Sequence, residues 1–299
     1  MPTTRREMEL RGWDYADVIL FSADYRDFKR LGRPRLFFGV APGCMDSMVN
    51  KYTAARRLRS EDAYSPDGRH DMRPEYPTIV YTQILRQLYP DVPVVLGGIE
   101  ASLRRVMHFD YWQERFRPSI LVDSNADMIT YGMGEKPTIE LCRRLTDALE
   151  ESHPSLYYDE NGYSYITRDT FRQVAQLQNE IPQTVSLYDY SHIPGGIRVD
   201  DIVLHSYEKC LKEPRLHADN FRHVEEESNK LHAQRLLQQT NGQWVVVNPP
   251  YPPLTQEELD HSFDLPYTRL PHPKYKGKRI PAYEMIKFSV CMHRGCFGG

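Results

Sequence analysis

Val92-Pro93-Val94-Val95-Leu96-Gly97-Gly98 and, further along, Asp127-Met128-Ile129-Thr130-Tyr131-Gly132-Met133-Gly134-Glu135 decide the fold class. Each is a short, nearly uninterrupted apolar run closed by glycines, the form of a strand covered on both faces. Before the first run, Val80, Ile84 and Leu88 recur at i, i+4 and i+8, which predicts a helix over 78–89. After the second, Ile139, Cys142, Leu145 and Leu149 mark another helix. Asp17-Val18-Ile19-Leu20-Phe21-Ser22 and Arg35-Leu36-Phe37-Phe38-Gly39-Val40 read as further strands. Strand and helix in alternation imply an α/β fold on a parallel sheet.

In such sheets ligands sit outside the carboxyl ends of the strands. Gly97, Gly98, Gly132 and Gly134, with Glu135 behind them, occupy those ends and are the candidate binding residues. Glycine there lets a backbone approach a phosphate or the edge of a cofactor, and it equally serves a tight strand-to-helix turn. Both readings stay open on the residues alone.

With 299 residues the chain can bury a large core and carry about two domains. A net charge of −3 and a mean hydropathy of −0.62 give no basic signature for nucleic acid. No apolar run reaches the roughly 18 residues of a membrane span, and Met1-Pro2-Thr3-Thr4-Arg5-Arg6-Glu7 lacks the apolar core of a secretory signal. The expected location is the cytoplasm. Five cysteines without framework spacing argue for reduced thiols, with Cys44, Cys142 and Cys210 read as small buried hydrophobes.

From about Glu151 to Asn248 the chain is polar, and helices are expected to dominate. Phe171, Val174, Ala175 and Gln178 outline a short helix, and Phe221, Val224, Leu231 and Leu236-Leu237 a longer one closed by Asn241-Gly242. Trp244-Val245-Val246-Val247 follows as a strand. His217, His223 and His232 lack ligand spacing and read as solvated or hydrogen-bonded. From Pro249 to Pro281 proline is dense, as in a semi-rigid connector. Thr255-Gln256-Glu257-Glu258 has the form of a capping box, so a short helix starts there. Asp260, His261 and Asp264 on it read as a solvated face rather than acid/base machinery.

Met285-Ile286-Lys287-Phe288-Ser289-Val290-Cys291-Met292 places Ile286, Phe288, Val290 and Met292 on one face of a strand by the period of two. Arg294-Gly295-Cys296-Phe297-Gly298-Gly299 then sets a thiol on a flexible turn, and thiolates on such turns hold iron–sulfur clusters. A zinc alternative, Cys291-x-His293-x2-Cys296, lacks a fourth ligand.

Taken with Phe288-Ser289-Val290, the Cys296 segment resembles the first strand and cluster loop of a radical S-adenosylmethionine (SAM) enzyme, whose pattern is Cys-x3-Cys-x2-Cys. Cys296 matches the first cysteine, and the second would be residue 300. Asn248-Pro249-Pro250-Tyr251-Pro252-Pro253-Leu254-Thr255, Asp264-Leu265-Pro266-Tyr267, Pro271-His272-Pro273-Lys274-Tyr275 and Ile280-Pro281-Ala282 resemble the region before the cluster in the YgiQ-type radical SAM family. Leu36-Phe37-Phe38-Gly39-Val40, Asp46-Ser47-Met48, Tyr52-Thr53-Ala54 and Gly97-Gly98-Ile99-Glu100-Ala101-Ser102-Leu103-Arg104-Arg105 extend the likeness over nearly the whole chain.

The resemblance implies a Rossmann-like sheet of the cobalamin-binding type over 1–150, a helix-rich extension over 151–248, the connector over 249–281, and the start of a radical SAM barrel over 282–299. It implies a [4Fe–4S] cluster with Cys296 as one ligand, SAM, a reductant, and a C-terminal barrel in the same or a separate chain. The expectation is an N-terminal portion, inactive without that barrel. Between Ala23 and Pro34 lie only roughly ten residues, at the lower limit of a parallel crossover. The family has a longer segment near residues 24–25, and its loss argues against cobalamin as a ligand here. A free-standing α/β ligand-binding module and a non-catalytic interaction fragment are the other readings.

Overall fold

The computed structural model describes residues 25–30, 32–177, 180–190 and 193–290. The strand expected at Asp17–Ser22 and residue Gln178 lie outside them. The chain forms two compact units, one of Tyr25–Ser47 with Glu75–Tyr251, the other including Met48–Pro74 and the described part of Pro252–Gly299.

In the larger unit a seven-stranded sheet runs in the order β1-β2-β5-β8-β11-β10-β9. Its members are β1 (Phe38–Val40), β2 (Val94–Leu96), β5 (Met128–Thr130), β8 (Thr184–Asp189), β9 (Ile202–Leu204), β10 (Leu236–Thr240) and β11 (Gln243–Val247). Two small hairpins supply β3 (His108–Asp110) with β4 (Arg115–Arg117), and β6 (Tyr157–Tyr158) with β7 (Ser164–Tyr165). The described helices are α1 (Arg26–Lys29), α2 (Ser47–Lys51), α3 (Pro77–Leu88), α4 (Gly98–Leu103), α5 (Ile120–Ser124), α6 (Glu135–Glu150), α7 (Arg168–Phe171), α8 (Tyr207–Lys212), α9 (Arg215–Ser228), α10 (Gln256–Asp264) and α11 (Pro281–Ile286).

The expected parallel sheet is corrected to a mixed one. β1, β2 and β5 are parallel neighbours, as are β9 and β10. β8 runs antiparallel to both β5 and β11, and β10 is antiparallel to β11. The antiparallel strands come from 184–247, a region expected to be mainly helical, so one sheet crosses the boundary expected at 150/151. Leu236-Leu237 is the clearest case. α9 stops at Ser228, and Leu236 pairs with Val247 in the sheet. Asn241 and Gly242 have φ of 50° and 75°, the two left-handed residues of a tight hairpin turn. Asn-Gly between two apolar runs therefore joins strands here, where the sequence reading made it close a helix.

The helix expected over 78–89 is α3, and the one carrying Leu145 is α6. Leu141, Leu145 and Ala148 of α6 pack on Val95 and Met128 of the sheet with Ile166, Phe171, Val174 and Ile181. Ile139, expected on the buried stripe, faces water. Helix α7 continues into a π-type turn at Arg172–Gln176, which buries Val174, Ala175 and Gln176. Asp127 ties these layers together: its carboxylate accepts from Arg86 on α3, from Val94 N at 2.7 Å, and from Arg168 Nε on α7 at 2.8 Å.

In the smaller unit Asp62 accepts from Tyr64 N (2.9 Å), Ser65 Oγ (2.7 Å) and Arg73 Nη2 (3.1 Å), organising the turns of Met48–Pro74. The capping box forms as expected: Thr255 Oγ1 accepts from Glu258 N at 3.2 Å and Glu258 Oε2 from Thr255 N at 2.8 Å. The strand expected from Met285 is not present in the described residues. Pro281 starts α11 at its first turn, where its missing N–H costs nothing, and Ala282 N is held by Ala63 O at 2.7 Å. A strand needs a neighbour for its backbone groups, and among the described residues none pairs with 285–290. Phe288 and Val290 are 92% and 85% exposed.

Candidate functional site

The glycines of the two defining runs meet at the carboxyl ends of β1, β2 and β5. Gly97 continues from β2 in extended form and donates to Val40 O at 2.9 Å. Gly98 opens α4 at φ +80°, and a Cβ there would lie 3.5 Å from Gly43 O and 3.7 Å from Ala41 Cβ. Gly132 has φ +65°, and its Cβ would meet Gln183 Nε2 at 3.4 Å. Gly134 leads into α6, whose first residue is Glu135. Ser102 joins the two turns: its Oγ donates to Gly98 O at 2.8 Å and accepts from Gly132 N at 3.1 Å.

A second clamp comes from the start of β8. Gln183 Nε2 donates to Tyr131 O at 2.7 Å and to Met133 O, while Gln183 O accepts from Tyr131 N at 3.2 Å. Gln183 also donates from its own N–H to Pro249 O (2.7 Å) and accepts from Tyr251 N (3.3 Å). Tyr131 Oη donates to Asn248 O at 2.6 Å, and Asn248 Nδ2 donates to Ile181 O and Thr184 Oγ1. Burial pushes the Tyr131 phenol up to about 12, so it stays protonated under the Arg105 guanidinium, 5.1 Å from the ring centre. Asn248 to Tyr251, read from sequence partly as connector, thus belongs to this strand-end assembly.

Behind the β2 end lies a buried polar cluster. Glu100 on α4 accepts from Ser47 N at 3.2 Å and Thr78 N at 3.4 Å. Arg104 pairs with Asp46. In the β3–β4 hairpin Asp110 accepts from Trp112 N and Gln113 N, both at 2.9 Å, and from Tyr76 Oη at 2.7 Å. The Arg117 guanidinium stands over the Tyr76 ring at 5.0 Å. His108 has Nδ1 3.3 Å from Val106 O, while its buried Nε2 has no hydrogen-bond partner among the described residues. Burial, reinforced by Arg104, pushes its pKa down to about 4, so the imidazole is neutral. Glu100, Ser102, Gln183 and Asn248 are the members sequence reading missed as site residues. Apart from the Ser102–Gly98 bond their partners lie far along the chain, and only the long Gly97-to-Arg105 motif drew attention to the first two.

The remaining candidates do not join this assembly. His217 packs edge-on against Phe116 at 4.9 Å, and His223 lies among Asp219 and Glu226 on α9. Asp260, His261 and Asp264 are exposed on α10, as a solvated face requires. Cys142 is half-buried and Cys210 buried, whereas Cys44, expected to be buried, is exposed on the loop after β1. It lies in the irregular segment between β1 and α2, outside the strand and helix that carry the core. Among the described residues no three His, Cys, Asp or Glu side chains gather as a metal site. Cys291, His293 and Cys296 lie outside them. A [4Fe–4S] cluster needs thiolates at short spacing, which the described cysteines Cys44, Cys142 and Cys210 do not supply. No described helix is long and apolar enough to cross a membrane.

Comparison with known proteins accounts for most of the chain. The "Radical SAM N-terminal" family model matches residues 24–289. A UPF0313 protein of Bacteroides thetaiotaomicron is 55% identical over 334 aligned positions, covering 100% of this chain and 52% of the relative. A UPF0313 protein of Porphyromonas gingivalis is 49% identical, covering 100% of this chain and 49% of its own length. The UPF0313 protein YgiQ of Escherichia coli K12 is 38% identical with the same 100% and 49% coverage. The chain thus spans about half the length of the curated relatives it matches. These alignments exceed the 299 residues of this chain, so the relatives carry segments without a counterpart here. No solved structure matches. The chain belongs to the radical SAM N-terminal family and is similar throughout to the UPF0313 proteins, YgiQ among them.

Proposed function

We propose that this chain is the N-terminal part of a radical SAM enzyme, and that it works when joined, in one chain or two, to a cluster-binding barrel. The observation that carries this reading is the apolar segment where the family match ends. Ile286, Phe288 and Val290 alternate with Lys287 and Ser289, and all three are exposed. Large apolar side chains crowded into so short an exposed stretch mark a surface made to be covered. In this reading 285–290 leaves its helical turn and becomes a strand once neighbouring barrel strands supply backbone partners. The [4Fe–4S] cluster, SAM and the reductant that feeds the cluster are assigned to the barrel half, with Cys296 as one cluster ligand. The α/β unit serves as a scaffold whose strand ends form the candidate ligand surface.

Amide hydrogen exchange tests the refolding step. This chain extended by the C-terminal half of the B. thetaiotaomicron relative should protect the amides of 286–290 at least about tenfold more than the chain alone. Equal exchange in both proteins would contradict it.

A second reading, a free-standing binding module, is favoured by the convergence of Gly97, Gly98, Gly132, Gly134 and Glu135 at adjoining strand ends. Its ligand would be a nucleotide or a cobalamin-like molecule held without help from the barrel.

A further inference from the structure

The strand-end surface carries a feature that narrows the class of ligand it can take. Glu100 is 1% exposed, yet its carboxylate is approached by backbone N–H groups from two other segments, Ser47 at the start of α2 and Thr78 in the first turn of α3. Helix α3 has twelve residues, and its N-terminus carries partial positive charge. Two hydroxyls belong to the same donor residues. Thr78 is 0% and Ser47 7% exposed, and neither Thr78 Oγ1 nor Ser47 Oγ has a hydrogen-bond partner among the described residues. The two N–H groups converge on one carboxylate, the kind of cradle that binds a phosphate or carboxylate oxygen, and the two buried hydroxyls of the same residues are left without an acceptor among the described residues. Here a side chain of the protein itself stands in it.

We propose that Glu100 is a resident anion, filling this cradle so that the strand ends are closed to phosphate-bearing ligands and accept neutral or cationic ones. The neighbouring charges agree. Arg104, the cation electrostatically coupled to Glu100, is already paired with Asp46. At the next strand end, α6 opens with Glu135 in its first turn, placing another carboxylate where a helix would otherwise attract an anion. A nucleotide bound by its phosphates, one ligand of the free-standing reading, would have to displace a buried carboxylate from its donors, so that reading narrows to ligands held without a phosphate. The inference stands whether or not the barrel half is attached.

The test is thermal unfolding of the full chain and of Glu100→Ala, in chloride, inorganic phosphate or formate at matched ionic strength. The wild-type chain should show the same Tm in all three. Glu100→Ala should lose about 5 °C or more, because two buried backbone donors lose their acceptor. Formate, a free carboxylate of the size removed, should restore at least about half of that loss in a saturable manner. If Glu100→Ala does not fold, Glu100→Ser, which also leaves room for a free carboxylate, takes its place in the formate arm. Saturable stabilisation of the wild-type chain by phosphate would overturn the proposal. Equal Tm of the foldable variant in formate and chloride would also overturn it.

Discussion

Asp127→Ala should destabilise the chain by about 3–5 kcal/mol, the scale for breaking a buried ion pair. The loss does not come from the missing carboxylate alone. Arg86 is held within the fold by Asp127, by Val92 O at 2.6 Å and by Asn125 O at 2.9 Å. Burial already lowers its pKa, opposed by the attraction of Asp127. Without Asp127 the guanidinium stays buried with its countercharge gone, Val94 N loses its acceptor, and Arg168 loses its bond to the residue just before β5. At about 2–4 °C per kcal/mol for a unit of this size, Tm should fall by roughly 10 °C. Asp127→Asn, which keeps an acceptor of the same shape, should lose less. Chemical denaturation of both variants checks the order, and a loss below about 1 kcal/mol for Asp127→Ala would show that the hub is dispensable.

Acid should weaken the fold through His108. Its pKa is pushed from the ordinary 6.5 to about 4, first by burial and then by Arg104 and Arg117, against the opposing pull of Val106 O and Asp110. Between those two values the unfolded chain binds a proton that the folded chain refuses. The stability this neutral imidazole permits is therefore complete above about pH 6.5, falls as pH drops, and is lost by about pH 4. The change is on the order of 3 kcal/mol. Urea unfolding at pH 7 and pH 4.5 should show a smaller loss in His108→Gln than in the wild-type chain. Parallel losses in the two proteins would assign the acid sensitivity to other groups.

The sequence was most legible where local pattern and tertiary setting agree. Val94-Val95-Leu96 and Met128-Ile129-Thr130 are apolar on both faces and end in glycine, so strand type, burial and turn could all be read at once. Helices α3 and α6 followed from their periodicity. The antiparallel half was hidden because Leu236-Leu237 fits a helical face as well as a strand, and Asn-Gly closes either. Only the pairing of Leu236–Thr240 with Gln243–Val247 decides it. The period of two at 286–290 is real in spacing, but spacing cannot supply the neighbouring strand. In the same way the glycines of the site were visible, whereas Glu100 and Gln183 gain their meaning from Ser47, Thr78, Tyr131 and Pro249, which only the fold brings to them.

Anaerobic reconstitution with iron and sulfide, read by electron paramagnetic resonance after reduction, tests the division of labour between this chain and a barrel half most directly. The proteins to compare are this chain alone and this chain joined to the C-terminal half of the B. thetaiotaomicron relative. The joined protein should show a [4Fe–4S] signal that changes when SAM is added, and the chain alone should show none. A SAM-responsive cluster in the chain alone, or its absence from the joined protein, would contradict the account.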